Sequence, residues 1–288
     1  PEVSVKAITV TGTGEAHCGP GVRNALGIVA LAEQPDIPVA CGRETPLAGD
    51  HAFPPSWRDG VDALFGLSLP ENPNQPASGS AGQLLAATLR SSPVKVTLLT
   101  LGPLTNLAEA LRDSPELAEK IDALYVMGGA VDVEGNVGVS GVGIDNRFAE
   151  WNVYIDPVAA DLVLQSAPVT FVPLDATNRA PVTTGFVDRL AGDAVTPPAA
   201  FSRDVLNQLR DSIASGGYYF WDPLAAAVLT DESLASFNSR ALAVVVNEGP
   251  ESGRLISMEN GPLTRFATSA DVQRFEQLFL DTINGRSN

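Results

Sequence analysis

Short apolar runs alternate with helix-like stretches along this chain, and that alternation constrains its fold more than any other feature. Val96–Leu101 is a near-continuous apolar run that turns through Gly102-Pro103 into a predicted helix over Leu104–Arg112. Ser4–Val10, Ala123–Met127, Val169–Leu174 and Ala241–Val246 read as further strands. Helices are predicted over Gly21–Ala32, Ser80–Arg90 and Asp271–Ile283, and after Asp156-Pro157 and Asp222-Pro223, where Asp precedes a proline suited to a first helical turn. A strand buried on both faces reads as an apolar run rather than an alternating one. Repeated strand-then-helix units of this kind make an open, mostly parallel sheet with helices on both faces, an α/β fold. With 288 residues, 44% hydrophobic, the chain can bury one large core. No Gly/Ser-rich linker divides it, so residues 1–288 are expected to form a single domain.

In such sheets ligands bind beyond the carboxyl ends of the strands. The segments of interest therefore follow Val10, Leu101, Met127 and Leu174, together with a proline-rich excursion over residues 43–79. Charge narrows the ligand class. The chain carries 34 acidic against 18 basic residues, a formal charge of −16. Without a basic footprint there is nothing to displace counterions from polymeric nucleic acid, so no nucleic-acid partner is expected. No apolar run is long enough to span a bilayer, and no membrane partner is expected. No basic segment followed by an apolar one marks a secretory signal. Cys18 and Cys41, two unclustered cysteines, read as free thiols, which favours a reducing, cytoplasmic setting.

Polar residues concentrate in four segments at the expected places: Leu101-Gly102-Pro103-Leu104-Thr105-Asn106, Val126–Asn136 with its Met127-Gly128-Gly129 turn, Ala149-Glu150-Trp151-Asn152-Val153-Tyr154-Ile155-Asp156-Pro157, and Gly217–Leu224. In this order they resemble the calcium-dependent nucleoside hydrolases, which cleave the N-glycosidic bond of ribonucleosides. The likeness runs from the first strand to the last helix. It is strongest to the purine-preferring branch, in which tryptophans flank the base: Trp57 in Phe53-Pro54-Pro55-Ser56-Trp57-Arg58 and Trp221 before Asp222 occupy the matching positions. Other branches carry a catalytic His where Trp221 stands. Asp175-Ala176-Thr177-Asn178 and Gly217-Tyr218-Tyr219 also look like the purine branch.

The resemblance implies purine ribonucleosides as substrates. Asn136, Glu150 and Asn152 would hold the ribose hydroxyls, with Met127 nearby, and Asp222 and the Leu101 carbonyl would serve as calcium ligands. The chemistry suits those residue types. Cleavage passes through an oxocarbenium-like sugar, and a purine protonated on its imidazole ring is a cation that indole faces stabilise. Family members also begin with a strand ending in an aspartate-rich turn, DxDxxxDD, which supplies most calcium ligands and the base. Here Pro1-Glu2-Val3 matches the start of the following strand, so the domain is expected to be N-terminally incomplete, with an exposed strand edge and an apolar groove. The usual Asp base is then absent. After Val10, where the family directs an Asp or Asn at the ligand, Gly14 is aligned, and Glu15 is the candidate to take over that role. The rival expectation is a purine-nucleoside or ribose-binding module without a metal. The sequence leaves homo-oligomer formation open.

Several residues also have plainer readings. Asp222-Pro223 can be only a helix cap, Trp57 only a cover for the core, and Asn136 only a turn residue. Glu150 and Asn152 flank Trp151 at strand spacing, which points both polar side chains to one face and Trp151 into the core. Met127 either contacts ribose or fills the core. His17 and His51 are isolated, and Thr105 and Asn106 brace a helix start.

Overall fold

The computed structural model describes residues 3–286, which leaves the opening Pro1-Glu2 of the predicted alignment outside the described residues. Strand β1 (Ile8–Val10) is shorter than the predicted Ser4–Val10 and leads into α1 (Cys18–Leu31) and β2 (Val39–Cys41). The proline-rich excursion contains α2 (Pro55–Asp62), begun by Pro55 at a position where its missing N–H costs nothing. Helix α3 (Ala81–Ser91) starts from a reciprocal cap between Ser80 and Gln83. Then follow β3 (Val96–Thr100), α4 (Thr105–Asp113) and β4 (Ile121–Met127). A glycine-rich loop leads to α5 (Trp151–Ile155), α6 (Pro157–Ser166) and β5 (Val169–Val172). The helical stretch that follows resolves into α7 (Leu174–Thr177), α8 (Thr184–Asp193), α9 (Pro197–Gln208), α10 (Arg210–Ala214) and α11 (Trp221–Thr230). The chain closes with β6 (Ala235–Val244), β7 (Leu255–Ser257), β8 (Leu263–Ala270) and α12 (Val272–Ile283).

The strands form a six-stranded sheet in the order β3-β4-β5-β8-β6-β7 and a separate parallel pair, β1-β2. From β3 to β8 neighbours run parallel; β6 lies antiparallel to both β8 and β7. Alternation across the pleat builds two cores. Val126 and Phe171 face a layer that includes α4 and α6, while Tyr125, Met127 and Val172 face α7, α8, α9, α11 and α12. Between β1 and β3 no pairing exists among the described residues, so each has an open edge there. The side chains of β3 are mostly half-buried rather than exposed, and α3 packs across β1 and β2.

One expectation fails here. Cys18 and Cys41 are joined by a disulfide, with Cα atoms 5.6 Å apart. The parallel β1-α1-β2 unit sets the first residue of α1 against the last of β2, a juxtaposition that spacing along the sequence does not show. The premise for a reducing compartment is therefore removed, since disulfides persist in oxidising settings. No helix among the described residues is long and apolar enough to cross a membrane.

Candidate functional site

The loops after β1 and β3 meet even though the strands do not pair. Gly14 N–H donates to Thr11 O (2.8 Å), closing a tight turn, and a side chain at position 14 would meet that carbonyl at 3.0 Å and Pro103 at 3.7 Å. Gly14 thus offers only backbone, and Glu15 carries the carboxylate of this loop. Thr13 packs its hydroxyl 3.1 Å from that of Thr105, which donates to Asp156 Oδ2 (2.8 Å); Leu47 N–H donates to the same oxygen. Asp156 Oδ1 accepts from Ala159 N–H and caps α6, as an Asp before Pro should. Asn106 Nδ2–H donates to Val10 O (2.9 Å), so its side chain braces the end of β1 and not, as expected, the start of its own helix.

After β4, Gly129 takes φ +81°, a left-handed turn, and the loop folds back so that Gly135 N–H reaches Arg147 O and Asn136 N–H reaches Ala149 O. A Cβ at Gly135 would collide with the Ala149 backbone, which is why glycine sits there. Asn136 Oδ1 accepts from Trp151 N–H at 3.1 Å. The strand reading of Glu150-Trp151-Asn152 is wrong: these residues open helix α5. Glu150 is its cap, accepting from Asn152 N–H (2.9 Å) and Val153 N–H (3.3 Å), and also from Gly129 N–H (2.9 Å). Both carboxylate oxygens are engaged, and the residue is 2% exposed. Asn152 Nδ2–H donates to Met127 O (3.1 Å). Met127 is packed in the core, and its carbonyl and sulfur meet Asn152.

Asp222 is not the plain cap its dipeptide suggests. Helix α11 begins at Trp221, Phe220 is the cap residue, and no side chain bonds there. Asp222 sits in the first turn, where the helix dipole favours a negative charge. The two indoles belong to separate aromatic groups. Trp57 is edge-on to Trp151 (5.3 Å), which stacks on Phe53 (5.1 Å); Trp221 packs on Tyr218 (5.2 Å) and Tyr219 (5.6 Å). They do not stack on each other. An apolar pocket of about 230 Å³ opens beside Trp221 and Asp222, lined also by Phe201, Val205, Tyr218 and Phe279. Leu101, following β3, keeps a largely exposed side chain.

Electrostatics joins these pieces. Burial raises Glu150 to about 7, against the pull of its three N–H donors, and the Glu15 charge adds to the rise. Asp222 is raised to about 7 by burial, then by Glu15 and Glu150. Glu15 itself is raised by burial: its side chain is open to solvent, yet it lies in a recess crowded enough to strip hydration. Tyr218, raised to about 12, feels burial and the charges of Glu15 and Asp222. Glu15, Glu150, Asp222 and Tyr218 are thus near enough for the carboxylate charges to be felt among them, and no Arg, Lys or His counts among the causes acting on them. Tyr218 was marked in the sequence only as part of Gly217-Tyr218-Tyr219, with no role given; in the fold its ring lies against the Trp221 indole. As a calcium site the recess is incomplete. That ion takes roughly 6–8 oxygen ligands, whereas no three His, Cys, Asp or Glu side chains among the described residues converge in ligand geometry.

A family model described as inosine-uridine preferring nucleoside hydrolase matches residues 1–277. Pyrimidine-specific ribonucleoside hydrolases of Salmonella schwarzengrund and Klebsiella pneumoniae are each 39% identical over 190 residues, 66% of this chain and 58% of theirs. The match thus spans a little over half the length of these curated relatives. Among solved structures, the inosine-uridine preferring nucleoside hydrolase from Bacillus anthracis aligns with a TM-score of 0.84 at 25% identity, over 98% of this chain and 90% of that one. A purine-preferring ribonucleoside hydrolase from Gardnerella vaginalis aligns at 0.83 and 28% identity, over 99% and 91%.

Proposed function

Because the chain belongs to the inosine-uridine preferring nucleoside hydrolase family, we propose that it hydrolyses the N-glycosidic bond of purine ribonucleosides to free base and ribose. The observation that carries this reading is the Tyr218–Trp221 pair packed beside the apolar pocket at Asp222, with the charges of Glu15 and Glu150 acting on that carboxyl. Uncompensated negative charge held in place stabilises the positive charge that develops on the sugar as the bond to the base lengthens. Asn136 and Asn152 direct the ribose, while Glu150 contributes charge and holds the Gly129 turn. Glu15, the member open to solvent, accepts the proton of the attacking water as its oxygen bonds to the anomeric carbon. The electron pair of the broken bond leaves with a purine that has taken a proton from solvent on its imidazole ring, between Trp57 and Trp221, and Glu15 then returns the water's proton to solvent. Asp222 and the Leu101 carbonyl are a partial set of calcium donors, and none of these steps is routed through the ion.

Purine preference is the finer part of the proposal. It rests on Trp221 standing directly before Asp222 and on the aromatic groups around both indoles. The names of the curated relatives favour pyrimidines instead, and the incomplete calcium set favours a nucleoside-binding module. Calorimetric titration separates these readings. Inosine should bind more tightly than uridine, and Trp57→Ala or Trp221→Ala should each weaken inosine binding by about tenfold while sparing ribose. Equal affinity for uridine, or inosine binding unchanged in both variants, would contradict the clamp.

A further inference from the structure

Arg58 follows Trp57 on α2 and is 9% exposed, yet it has no carboxylate partner among the described residues. One terminal nitrogen donates to Gly12 O (2.7 Å) and to Ala16 O (3.3 Å), and the buried Nε has no acceptor. Those two carbonyls bracket Thr13-Gly14-Glu15. A guanidinium taken out of water without a counter-ion is costly, so its retention calls for a return. A second tie lies at the far end of the same helix: Asp62 accepts from His17 N–H (2.9 Å) and meets His17 Nδ1 at 2.6 Å. Asn24 on α1 donates to Val61 O and Asp62 O. Helix α2 is therefore clasped along its length to the loop that carries Glu15.

We propose that Arg58 is a positioning residue for the nucleoside site: by gripping the Gly12 and Ala16 carbonyls it makes the Trp57 helix and the Glu15 loop move as one body. The spacing between the wall that meets the base and the carboxylate that faces the sugar is thereby held. Arg58 acts through backbone and not through its charge, since it is no cause of the Glu15, Glu150 or Asp222 shifts. Both bonds come from one terminal nitrogen, whose direction is fixed by the rigid guanidinium plane, whereas a lysine ammonium on a flexible stem holds two carbonyls less well. The inference rests on the nucleoside reading for its purpose, but its mechanics can be tested without a ligand.

The test is amide hydrogen exchange on the whole 288-residue chain, comparing wild type, Arg58→Lys and Arg58→Met, with and without inosine. Without ligand, Arg58→Met should speed exchange in residues 12–17 and 55–62 together by about tenfold and leave β4 and β5 unchanged. Arg58→Lys should lie between. Release of one segment alone, no release, or acceleration that spreads to β4 and β5 would overturn the proposal. Should Arg58→Met not fold, Arg58→Lys decides by the same pattern. With inosine, wild type should protect both segments together. If inosine protects neither in wild type, the nucleoside reading fails while the ligand-free comparison still decides the clasp.

Discussion

Glu150 does two jobs whose demands conflict, and the conflict can be measured. Its carboxylate is needed to receive three backbone N–H groups, but burial lifts its pKa from the usual 4.5 to about 7. Between those values the folded chain holds a proton that the unfolded chain has released. The stabilisation is therefore full below about 4.5 and is lost as pH rises through about 7, a change of roughly 3 kcal/mol. Urea unfolding at pH 5 and pH 8 should show wild type losing roughly 2 kcal/mol more than Glu150→Gln over that interval. Parallel losses would mean that Glu150 is ionised in the folded state throughout. Asp222, lacking a cap bond, has no local structural duty. Asp222→Asn should accordingly cut base release at least a hundredfold, on the order of a charge-stabilising group's contribution, while leaving far-ultraviolet dichroism intact. Unimpaired release by a folded variant would remove Asp222 from the site.

At the scale of elements, the long helices announced themselves, while α2, α5 and the short or exposed strands did not. Ser80 with Gln83, Asp156 with Pro157 and the apolar runs at β3 and β4 carry their signals locally. Strand β8, Leu-Thr-Arg-Phe-Ala-Thr-Ser-Ala, sets its polar residues in adjacent pairs, Thr264-Arg265 and Thr268-Ser269, instead of alternating them, and pairs at long range with β6 and β5. Periodicity in a short window does not reveal such a partner. The turn at Glu150 was misread because Glu-Trp-Asn fits strand alternation as well as a first helical turn, and the N–H groups of Gly129, Asn152 and Val153 that donate to the Glu150 carboxylate decide it. The disulfide is likewise a product of the β1-α1-β2 crossover. It closes a loop between residues 23 apart, so Cys41→Ser should lower unfolding free energy by about 3 kcal/mol, and reductant should do the same to wild type alone. No difference between wild type and Cys41→Ser under oxidising conditions would show that the two thiols are not joined.

For the molecule as a whole, fold and family were legible because four polar segments keep their order, two of them directly after β3 and β4 and two at the starts of α5 and α11. Their convergence was not legible: that Glu150 and Asp222 feel Glu15, or that Trp57 and Trp221 stand in separate aromatic groups, depends on how the loops of distant units close. The residue types suggested a ligand set, and the geometry shows how much of it each residue has already spent on its own backbone. Purine selectivity is the central claim, and release of free base by the 288-residue chain tests it most directly. Inosine, guanosine, uridine and cytidine would be compared in calcium and in chelator, with products separated by chromatography. The account predicts that hypoxanthine and guanine appear with at least about tenfold greater kcat/KM than uracil and cytosine. Equal or faster release of the pyrimidines, or no base from any nucleoside, would contradict it.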